Sequence, residues 1–316
     1  MDRYKILLNS KSKNYLVTIG IGKKYYDRWL KYAYPSWKEY CLNNSLGLMI
    51  ICNNLIDVSH PKWKKATWQK MLIGELIIKD KLPINNVCYI DTDFLINPNS
   101  PNVFKEIKKD RISVVSTTKR LPYDLDYIRR KISFNRKTYI DKKYPLDSAL
   151  FMNEKKYYNF HGFKEQKDIV NMGFIGFNVK NHWKRMLGWF NKYDRETFGL
   201  TEDGDNPYIS YEMLNYGKLK WLDYKYQVCW TYEMAFKYAF LYNNISNKFL
   251  IKECILDSLK DCYFLHFAGT WNESEMWLSN VTKLSKKELK LNQRFFDYLN
   301  IKISGKAIGR ITPKNN

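Results

Sequence analysis

The stretch Val-Cys-Tyr-Ile-Asp-Thr-Asp at residues 87–93 decides the fold of this chain. Its first four residues predict a buried strand, and that strand ends in two carboxylates one residue apart. Because side chains alternate along a strand, Asp91 and Asp93 are expected to point the same way where the chain leaves the core. Paired carboxylates in such a place form an oxygen-rich site for a hard divalent cation, which can in turn hold a diphosphate.

The segments before that strand alternate between strands and helices. The predicted elements are a strand at 15–21, a helix at 25–42, a strand at 47–52 and a helix at 64–79. This β-α-β-α-β order predicts an α/β fold with a parallel, doubly wound sheet. Ligands of such sheets lie beyond the carboxyl ends of the strands, so residues 18–21, Asn53 and the aspartate pair should converge there.

The length of 316 residues fits one elaborated α/β domain, which we place at residues 1–280. Residues 119–165 have no clear periodicity and are predicted to form an inserted, mobile region beside the site. Regularity returns with a glycine-containing strand at 171–179. The chain ends in a basic tail at residues 281–316.

The net charge is strongly positive, with 53 Lys and Arg against 32 Asp and Glu and a formal charge of +21. Such a field attracts polyanions, whether nucleic acid, anionic lipid head groups or phosphorylated small molecules. The joint abundance of Lys, Asn, Ile and Tyr is also typical of AT-rich coding, which gives the same charge without selection for binding. The basic tail is consistent with a peripheral contact to an anionic membrane, or with a solvated chain end.

Cysteine usage and hydropathy indicate the compartment. The six cysteines include no C-x-x-C pair, and the chain has neither a signal-peptide pattern nor an apolar run near 18 residues. These features predict a reduced, cytoplasmic protein that does not cross a membrane and that at most rests on a membrane surface.

One histidine lies in the apolar segment Phe264-Leu-His-Phe-Ala-Gly269. A histidine among apolar neighbours is commonly a core residue with its hydrogen bonds satisfied. The small Ala268-Gly269 pair favours a second interpretation, because it lets the backbone approach a bulky anion. With Asp91 and Asp93, His266 would complete a mixed oxygen and nitrogen site suited to Mn²⁺ or Mg²⁺.

Five short motifs occur in an order that resembles the GT-A-fold glycosyltransferases. They are Tyr89-Ile-Asp-Thr-Asp93, Asn171-Met-Gly173, an acidic loop before a helix ending at Leu214-Asn215, Leu222-Asp-Tyr-Lys-Tyr226, and His266-Phe-Ala-Gly269. The order is most similar to the retaining family 8 type, the group of glycogenin and the bacterial lipopolysaccharide galactosyl- and glucosyltransferases, and it spans about residues 14–271. The resemblance implies a Rossmann-like GT-A fold, with a mostly parallel, twisted sheet and helices on both faces. It also implies transfer of a sugar from a UDP-sugar to a saccharide, lipid-linked or protein acceptor with retention of configuration.

The resemblance further implies which residues form the site. In that family the D-x-D acids and a later histidine hold Mn²⁺ against the donor diphosphate, which implies Asp91, Asp93 and His266 as metal ligands. The basic residue that contacts the donor is implied to be Lys70, in preference to Lys64 and Lys65. Asn171 is implied to line the sugar pocket. The acid that contacts the donor hydroxyls is implied to be Asp205, in preference to Asp203 and Glu212. Positions implied to bind the donor are Thr18, Ile19, Gly20, Asn53, Lys70, Thr92, Gly173 and Gly269.

The chain also departs from the family pattern. The usual Lys-Pro-Trp after His-x-x-Gly is replaced by Thr270-Trp-Asn272, with Trp271 as a partial substitute. The lysine that grips the diphosphate in the family therefore has no assigned counterpart in this chain.

Two other classes of protein share some of these features. An aspartyl-phosphate hydrolase also has D-x-D after a buried strand, with Asp91 as its nucleophile, but it carries the pair near the start of its domain and follows it with small residues. Here Phe94-Leu-Ile96 follows, after two complete β-α units. A basic nucleic-acid-binding protein would account for the charge, but the chain has no recognised nucleic-acid-binding motif and its acids cluster at the expected site.

Overall fold

The computed structural model describes residues 2–139, 153–194, 204–243 and 247–268. A seven-stranded sheet with the order β1-β3-β2-β4-β7-β6-β8 forms its centre. Its strands are β1 (Tyr4–Leu8), β2 (Asn14–Ile19), β3 (Gly47–Ile51), β4 (Asn86–Ile90), β6 (Ile112–Val114), β7 (Phe174–Asn178) and β8 (Leu219–Trp221). A smaller sheet with the order β5-β10-β9 contains β5 (Phe94–Ile96), β9 (Val228–Cys229) and β10 (Phe264–His266).

The central sheet is mostly parallel, as predicted. Strands β3, β2 and β4 run in parallel, and so do β6 and β8, while β1 and β7 run antiparallel to their neighbours. Five of the seven strands therefore share one direction, and the predicted α/β fold class is confirmed. The antiparallel β7 lies directly beside β4, which brings the start of β7 next to the end of β4.

Helices occur in the predicted regions 25–42 and 64–79, but each of these two predicted helices is divided in the structure. Their bounds are α1 (Lys23–Tyr32), α2 (Tyr34–Asn43), α3 (Ala66–Gln69), α4 (Ile73–Lys79), α5 (Leu125–Tyr139), α6 (Glu154–Phe160), α7 (Val179–Lys192), α8 (Asn206–Tyr216), α9 (Trp230–Lys237) and α10 (Lys248–Asp261). The predicted single helix at 25–42 is wrong, because the helix stops at Tyr32 and a new one starts with Pro35 in its first turn. Proline has no N–H group for an intrahelical bond, so it is favoured at a helix start.

Strand alternation places helices on both faces of the sheet. In β2 and β3, Leu16, Leu48 and Ile50 face one hydrophobic core, which contains Trp29 and Trp37 of α1 and α2. The alternate residues of the same strands, such as Tyr15, Val17 and Met49, face a second core formed with α3, α4 and α7. The period of two in side-chain direction thus accounts for a separate hydrophobic core on each face of the sheet.

The region 119–165, predicted to lack regular structure, contains helices α5 and α6 in its described part. Ile128 and Ile132 of α5 are fully buried in the first core, so this helix packs against the domain body. The tail at 281–316 lies outside the described residues. Among the helices described, none combines the length and apolar character that a membrane span requires.

Candidate active site

The aspartate pair lies where the two sheets meet. Asp91 follows the last residue of β4, Asp93 precedes the first residue of β5, and the intervening turn carries the chain from the large sheet to the small one. Strand β10 runs antiparallel to β5 and pairs its last residue, His266, with Phe94. As a result, one potential ligand atom from each of Asp91, Asp93 and His266 lies within 4.8 Å of the others.

His266 is held firmly in this cluster. Its ring stacks on Phe94 with 4.1 Å between centroids and an interplanar angle of 14°. The Nε2 atom of His266 lies 3.4 Å from Oδ1 of Asp93. The backbone N–H of Phe267 donates to the Asp93 carbonyl at 3.0 Å, which ties the end of β10 to the turn that carries the acids.

Asp91 is anchored from the opposite side. The buried Tyr89 hydroxyl donates to Oδ1 of Asp91, because residues two apart on a strand share a face. The backbone N–H of Asp91 donates to the Gly173 carbonyl at 3.0 Å, across the junction of β4 and β7. The side chain of Asp91 keeps 30% of its surface exposed, so the cluster remains open to solvent.

Lys70 brings a positive charge to the same place. It lies in a short 3-10 helix between α3 and α4, and its side chain is 1% exposed. Its Nζ atom lies 3.2 Å from Asp205 and 3.7 Å from Asp91, and it donates to the Met172 carbonyl at 2.7 Å. Burial by itself would lower the pKa of Lys70, but the carboxylates of Asp205 and Asp91 outweigh it and the pKa is raised. Lys70 is therefore charged at neutral pH.

Asp205 stands at the N-cap of α8, with Pro207 in the first turn of that helix and Gly217 in a left-handed conformation at its end. Burial is the main cause that raises the pKa of Asp205 to about 6. The positive charge of Lys70 lowers this pKa, and the negative charge of Asp91 raises it. The carboxyl group is thus mainly ionised at neutral pH. Asp205 and Lys70, which were selected for separate roles, lie side by side in the structure.

This arrangement fits a divalent cation. Counted as formal charges, the three aspartates Asp91, Asp93 and Asp205 and the one lysine, Lys70, leave a net two negative charges. Buried and half-buried carboxylates require pairing or coordination to a metal. Two carboxylates and an imidazole are ligands that both Mn²⁺ and Mg²⁺ accept, with the nitrogen favouring Mn²⁺. Asp91, Asp93 and His266 would hold the ion.

Asn171 and Gly173 lie beside the cluster. The Asn171 Oδ1 atom accepts from the Gly173 N–H at 3.1 Å, in the turn that leads into β7. A Cβ atom at Gly173 would lie 2.5 Å from Cε1 of His266 and 2.8 Å from Nε2 of Gln227. Glycine is therefore needed here for packing against the imidazole.

The predicted nucleotide-pocket residues lie at the ends of β2 and β3. Thr18 is fully buried and its hydroxyl has no hydrogen-bond partner, Ile19 ends β2, and the Gly20 N–H donates to Ile51. The Asn53 amide donates to the Asp2 carbonyl at 2.8 Å, so the segment before β1 holds part of that side chain. Thr92 is half-buried between the two acids.

The alternatives to Lys70 and Asp205 that the structure describes make other contacts, and the remaining one lies outside the described residues. Lys64 packs against aromatic rings, and Glu212 accepts from Lys192 and Tyr193. Asp203 and Gly269 lie outside the described residues. The roles of all the predicted site residues in binding a donor stay predictions.

Two residues of the cluster were missed from the sequence. Tyr89 could have been found, since it precedes Asp91 by two residues on the same strand. Gln227, whose amide contacts His266, carries no local signal because the pairing of β9 with β10 brings it there.

The fold and the cluster together define a Rossmann-like α/β protein. At the carboxyl edge of its sheet lie two aspartates and a histidine of the kind that can hold a metal ion. No protein-family model and no curated protein matches the chain. Comparison with solved structures finds similarity to several glycosyltransferases.

One such structure is a glycosyltransferase involved in glycosylation of the major capsid of PBCV-1, with a TM-score of 0.48, 10% identity, and coverage of 86% of this chain and 99% of that one. A second is the galactosyltransferase LgtC in complex with donor and acceptor sugar analogues, with a TM-score of 0.47, 12% identity, and coverage of 88% and 99%. A third is the bifunctional glycosyltransferase WbbM, with a TM-score of 0.49, 12% identity, and coverage of 88% of this chain and 51% of that one. With TM-scores below 0.5 and identities of 10–12%, this similarity carries no conclusion about the activity of this chain.

Proposed function

We propose that this chain is a metal-dependent glycosyltransferase that takes a sugar from a nucleotide-diphosphate sugar, with a UDP-sugar favoured. The observation that supports this most strongly is the cluster of Asp91, Asp93 and His266 beside the buried Lys70–Asp205 pair. Such a site combines ligands for a cation with a fixed positive charge and an ionised acid. These are the groups that a leaving diphosphate and a bound sugar require.

The chemistry turns on the charge that develops when the bond from the sugar to the diphosphate breaks. A divalent cation, when bound, supplies Lewis-acid neutralisation of that charge. Lys70 adds a second positive charge from a fixed position, because two carboxylates and the Met172 carbonyl hold its ammonium group. Since these contacts exist before the reaction, no reorganisation of the protein is needed at the moment of bond breaking.

Asp205 and Asn171 are proposed to orient the sugar. The ionised Asp205 carboxylate can accept hydrogen bonds from donor hydroxyls, and Asn171 has its Oδ1 atom fixed by Gly173, so the nitrogen end of the amide is the part proposed to contact the sugar. If configuration is retained, the leaving phosphate accepts the acceptor's proton and no separate base is required. If it is inverted, Asp205 is the first candidate for a general base.

The proposed partners are a nucleotide-sugar donor and a glycan, lipid-linked or protein acceptor. Thr18, Ile19, Gly20, Asn53, Thr92, Gly173 and Gly269 are proposed to form the rest of the donor pocket. We further propose that the enzyme works in the cytoplasm, with a peripheral contact to an anionic membrane through its basic tail. The main domain is proposed to extend over residues 1–280.

The test is thermal unfolding in the presence of UDP with and without Mn²⁺ or Mg²⁺. We expect UDP to stabilise the protein only when a metal is present, by about 2.7 kcal/mol at a hundred times Kd. Asp93→Asn should abolish the shift, because it removes a ligand charge while keeping the side-chain shape. Equal stabilisation by UDP without metal would contradict the proposal.

A screen of UDP-, GDP- and CDP-sugars for slow, metal-dependent hydrolysis would then identify the donor. Two other results would redirect the assignment. Turnover of phosphate monoesters without nucleotide-sugar binding would indicate the hydrolase. A steep salt-dependent affinity for DNA or RNA, unaffected by Asp91→Ala, would indicate a nucleic-acid-binding protein.

A further inference from the structure

The Gln227 side chain lies behind the proposed metal-binding imidazole. Its Nε2 atom lies 3.2 Å from Nδ1 of His266, and the residue is 5% exposed. We infer that Gln227 is a positioning residue, which holds His266 in the tautomer that directs a lone pair on Nε2 toward the two aspartates. This inference rests on the proposed metal site.

The requirement for such a residue follows from imidazole chemistry. A neutral imidazole carries one proton, so a ring that binds a cation through Nε2 must carry its proton on Nδ1. The Nε2 atom is the one that faces Asp93, at 3.4 Å, and Nδ1 faces Gln227. A buried Nδ1–H group needs an acceptor, and the amide oxygen of Gln227 can supply one.

The glutamine amide has an unused acceptor to offer. With Nε2 toward the imidazole, its Oε1 atom is buried and has no hydrogen-bond partner. The two ends of the amide have the same shape, so a half-turn about its last bond places Oε1 against Nδ1. In that orientation the ring's Nδ1–H donates to Oε1 and the lone pair on Nε2 is left for a cation.

Packing holds the His266 ring and the Gln227 amide in place. Phe94 stacks on one face of the His266 ring, which prevents it from tilting. Gly173 leaves the space that the His266 and Gln227 side chains occupy, since a Cβ there would lie within 2.8 Å of both. Gln227 itself ends a 3-10 helix and directly precedes β9, which pairs with β10 at Cys229 and His266. The contact is therefore fixed by backbone pairing as well as by side chains.

The experiment combines nitrogen NMR with metal binding. Protein labelled with ¹⁵N in its four histidines reports which ring nitrogen carries the proton, and a His266→Asn variant assigns the signal. At a pH where the ring is neutral, and without metal, we expect the proton on Nδ1. Mn²⁺ affinity, measured by electron paramagnetic resonance of the free ion, provides a second readout that does not depend on turnover.

Three variants separate positioning from packing. Gln227→Met keeps the volume but cannot accept a hydrogen bond, and we expect it to lose the Nδ1–H preference and to weaken Mn²⁺ binding by at least about tenfold. Gln227→Glu keeps an acceptor, and should retain the tautomer and bind Mn²⁺ no more weakly than the wild type. Tyr226→Phe changes the neighbouring residue of the same segment and should leave both readouts unchanged.

The inference is overturned if the wild-type ring carries its proton on Nε2, or if Gln227→Met binds Mn²⁺ as tightly as the wild type. A failure of the proposed function is a different result. In that case the wild-type protein itself binds neither Mn²⁺ nor Mg²⁺, while the tautomer measured without metal still decides the role of Gln227.

Discussion

Two buried lysines, Lys64 and Lys70, lie six residues apart on either side of α3, and each is 1% exposed. Lys70 lies among carboxylates at the proposed active site. Lys64 lies over the Phe190 ring, with its Nζ atom 3.8 Å from the centroid, and donates to the Lys62 carbonyl. The two residues therefore share residue type, burial and neighbourhood in the chain, and differ in what surrounds their charge.

The surroundings move the two pKa values in opposite directions. Burial lowers the pKa of Lys64 to about 8, helped by the positive charge of Lys62 and opposed by Asp194. The pKa of Lys70 is raised, because Asp205 and Asp91 more than offset the same burial effect. Aromatic rings and a single carbonyl thus do not replace the water that a buried ammonium loses, whereas two carboxylates do. Burial of a lysine does not by itself mark a functional site; the acids around it do.

The largest expected effect comes from breaking the charged side of this comparison with Lys70→Met. The substitution leaves the buried Asp205 beside Asp91 without a positive partner, and we expect the free energy of unfolding to fall by about 3–5 kcal/mol at neutral pH. The folded-state pKa of Asp205 should rise further above its unfolded value. The deficit should then shrink as the pH is lowered from 8 to 5 and Asp205 becomes protonated. Urea denaturation across this range measures both quantities.

A double variant provides the control for that prediction. Lys70→Met combined with Asp205→Asn removes both charges, so it should recover more than half of the lost stability. A single Lys70→Met variant that unfolds like the wild type at every pH would show that the pair makes no net contribution.

An intermediate effect is expected from the pH dependence of Lys64. Its folded-state pKa, about 8, lies below the ordinary value of 10.5, so between these values the unfolded chain binds more protons than the folded one. Stability should therefore rise with pH in this window, by about 2–3 kcal/mol between pH 7 and 10 relative to Lys64→Met. The wild type and the exposed Lys79→Met variant should instead give parallel curves of stability against pH. Parallel curves for the wild type and Lys64→Met would contradict the prediction.

The smallest expected effect comes from Tyr89→Phe, which would leave beside Lys70 a phenylalanine ring like the one beside Lys64. Lys70 also lies over a ring, that of Tyr89 at 5.0 Å, and the hydroxyl of this ring donates to Asp91. Tyr89→Phe keeps the ring and removes that donor, so Mn²⁺ binding should weaken about fivefold, equivalent to about 1 kcal/mol.

Tyr158→Phe is the matched control for this prediction. It removes a buried hydroxyl that bonds to Ser210, and it should leave Mn²⁺ affinity unchanged. Equal weakening in the two variants would indicate a general loss of packing order, with no specific role for Tyr89.

Several of the predicted site residues lie beside elements whose sequence signal is clear, whereas His266 lies in a three-residue strand and was assigned from its apolar setting and the family resemblance. Asp91 and Asp93 follow a five-residue buried strand, and Lys70 lies in a helical segment with an apolar face. Asp205 precedes a helix whose start and stop signals, Pro207 and Gly217, are both visible. In each case a period or a cap indicates where the residue lies in the fold.

The pairing that forms the second sheet could not be predicted, for a physical reason. Its strands β5, β9 and β10 contain three, two and three residues, too few for alternation to indicate which strands pair. Its partners come from distant parts of the chain, because β5 lies near residue 95 and β10 near residue 265. Gln227 was missed for the same reason. Strand β1 was missed because its five residues lie at an edge, where burial alternates weakly. The break before Pro35 was visible in the sequence, but the apolar pattern of α1 and α2 continues through it.

The place of His266 on the last described strand has a consequence for synthesis of the chain. The two aspartates leave the ribosome about 175 residues before the histidine, so during most of translation a cation would meet carboxylates alone. At the proposed metal site the two carboxylates alone would offer oxygen ligands of the kind that suit Mg²⁺, and the nitrogen ligand that favours Mn²⁺ would arrive only when the imidazole docks. Selection of the metal would then be a late event in the maturation of the polypeptide, completed when β10 closes the small sheet.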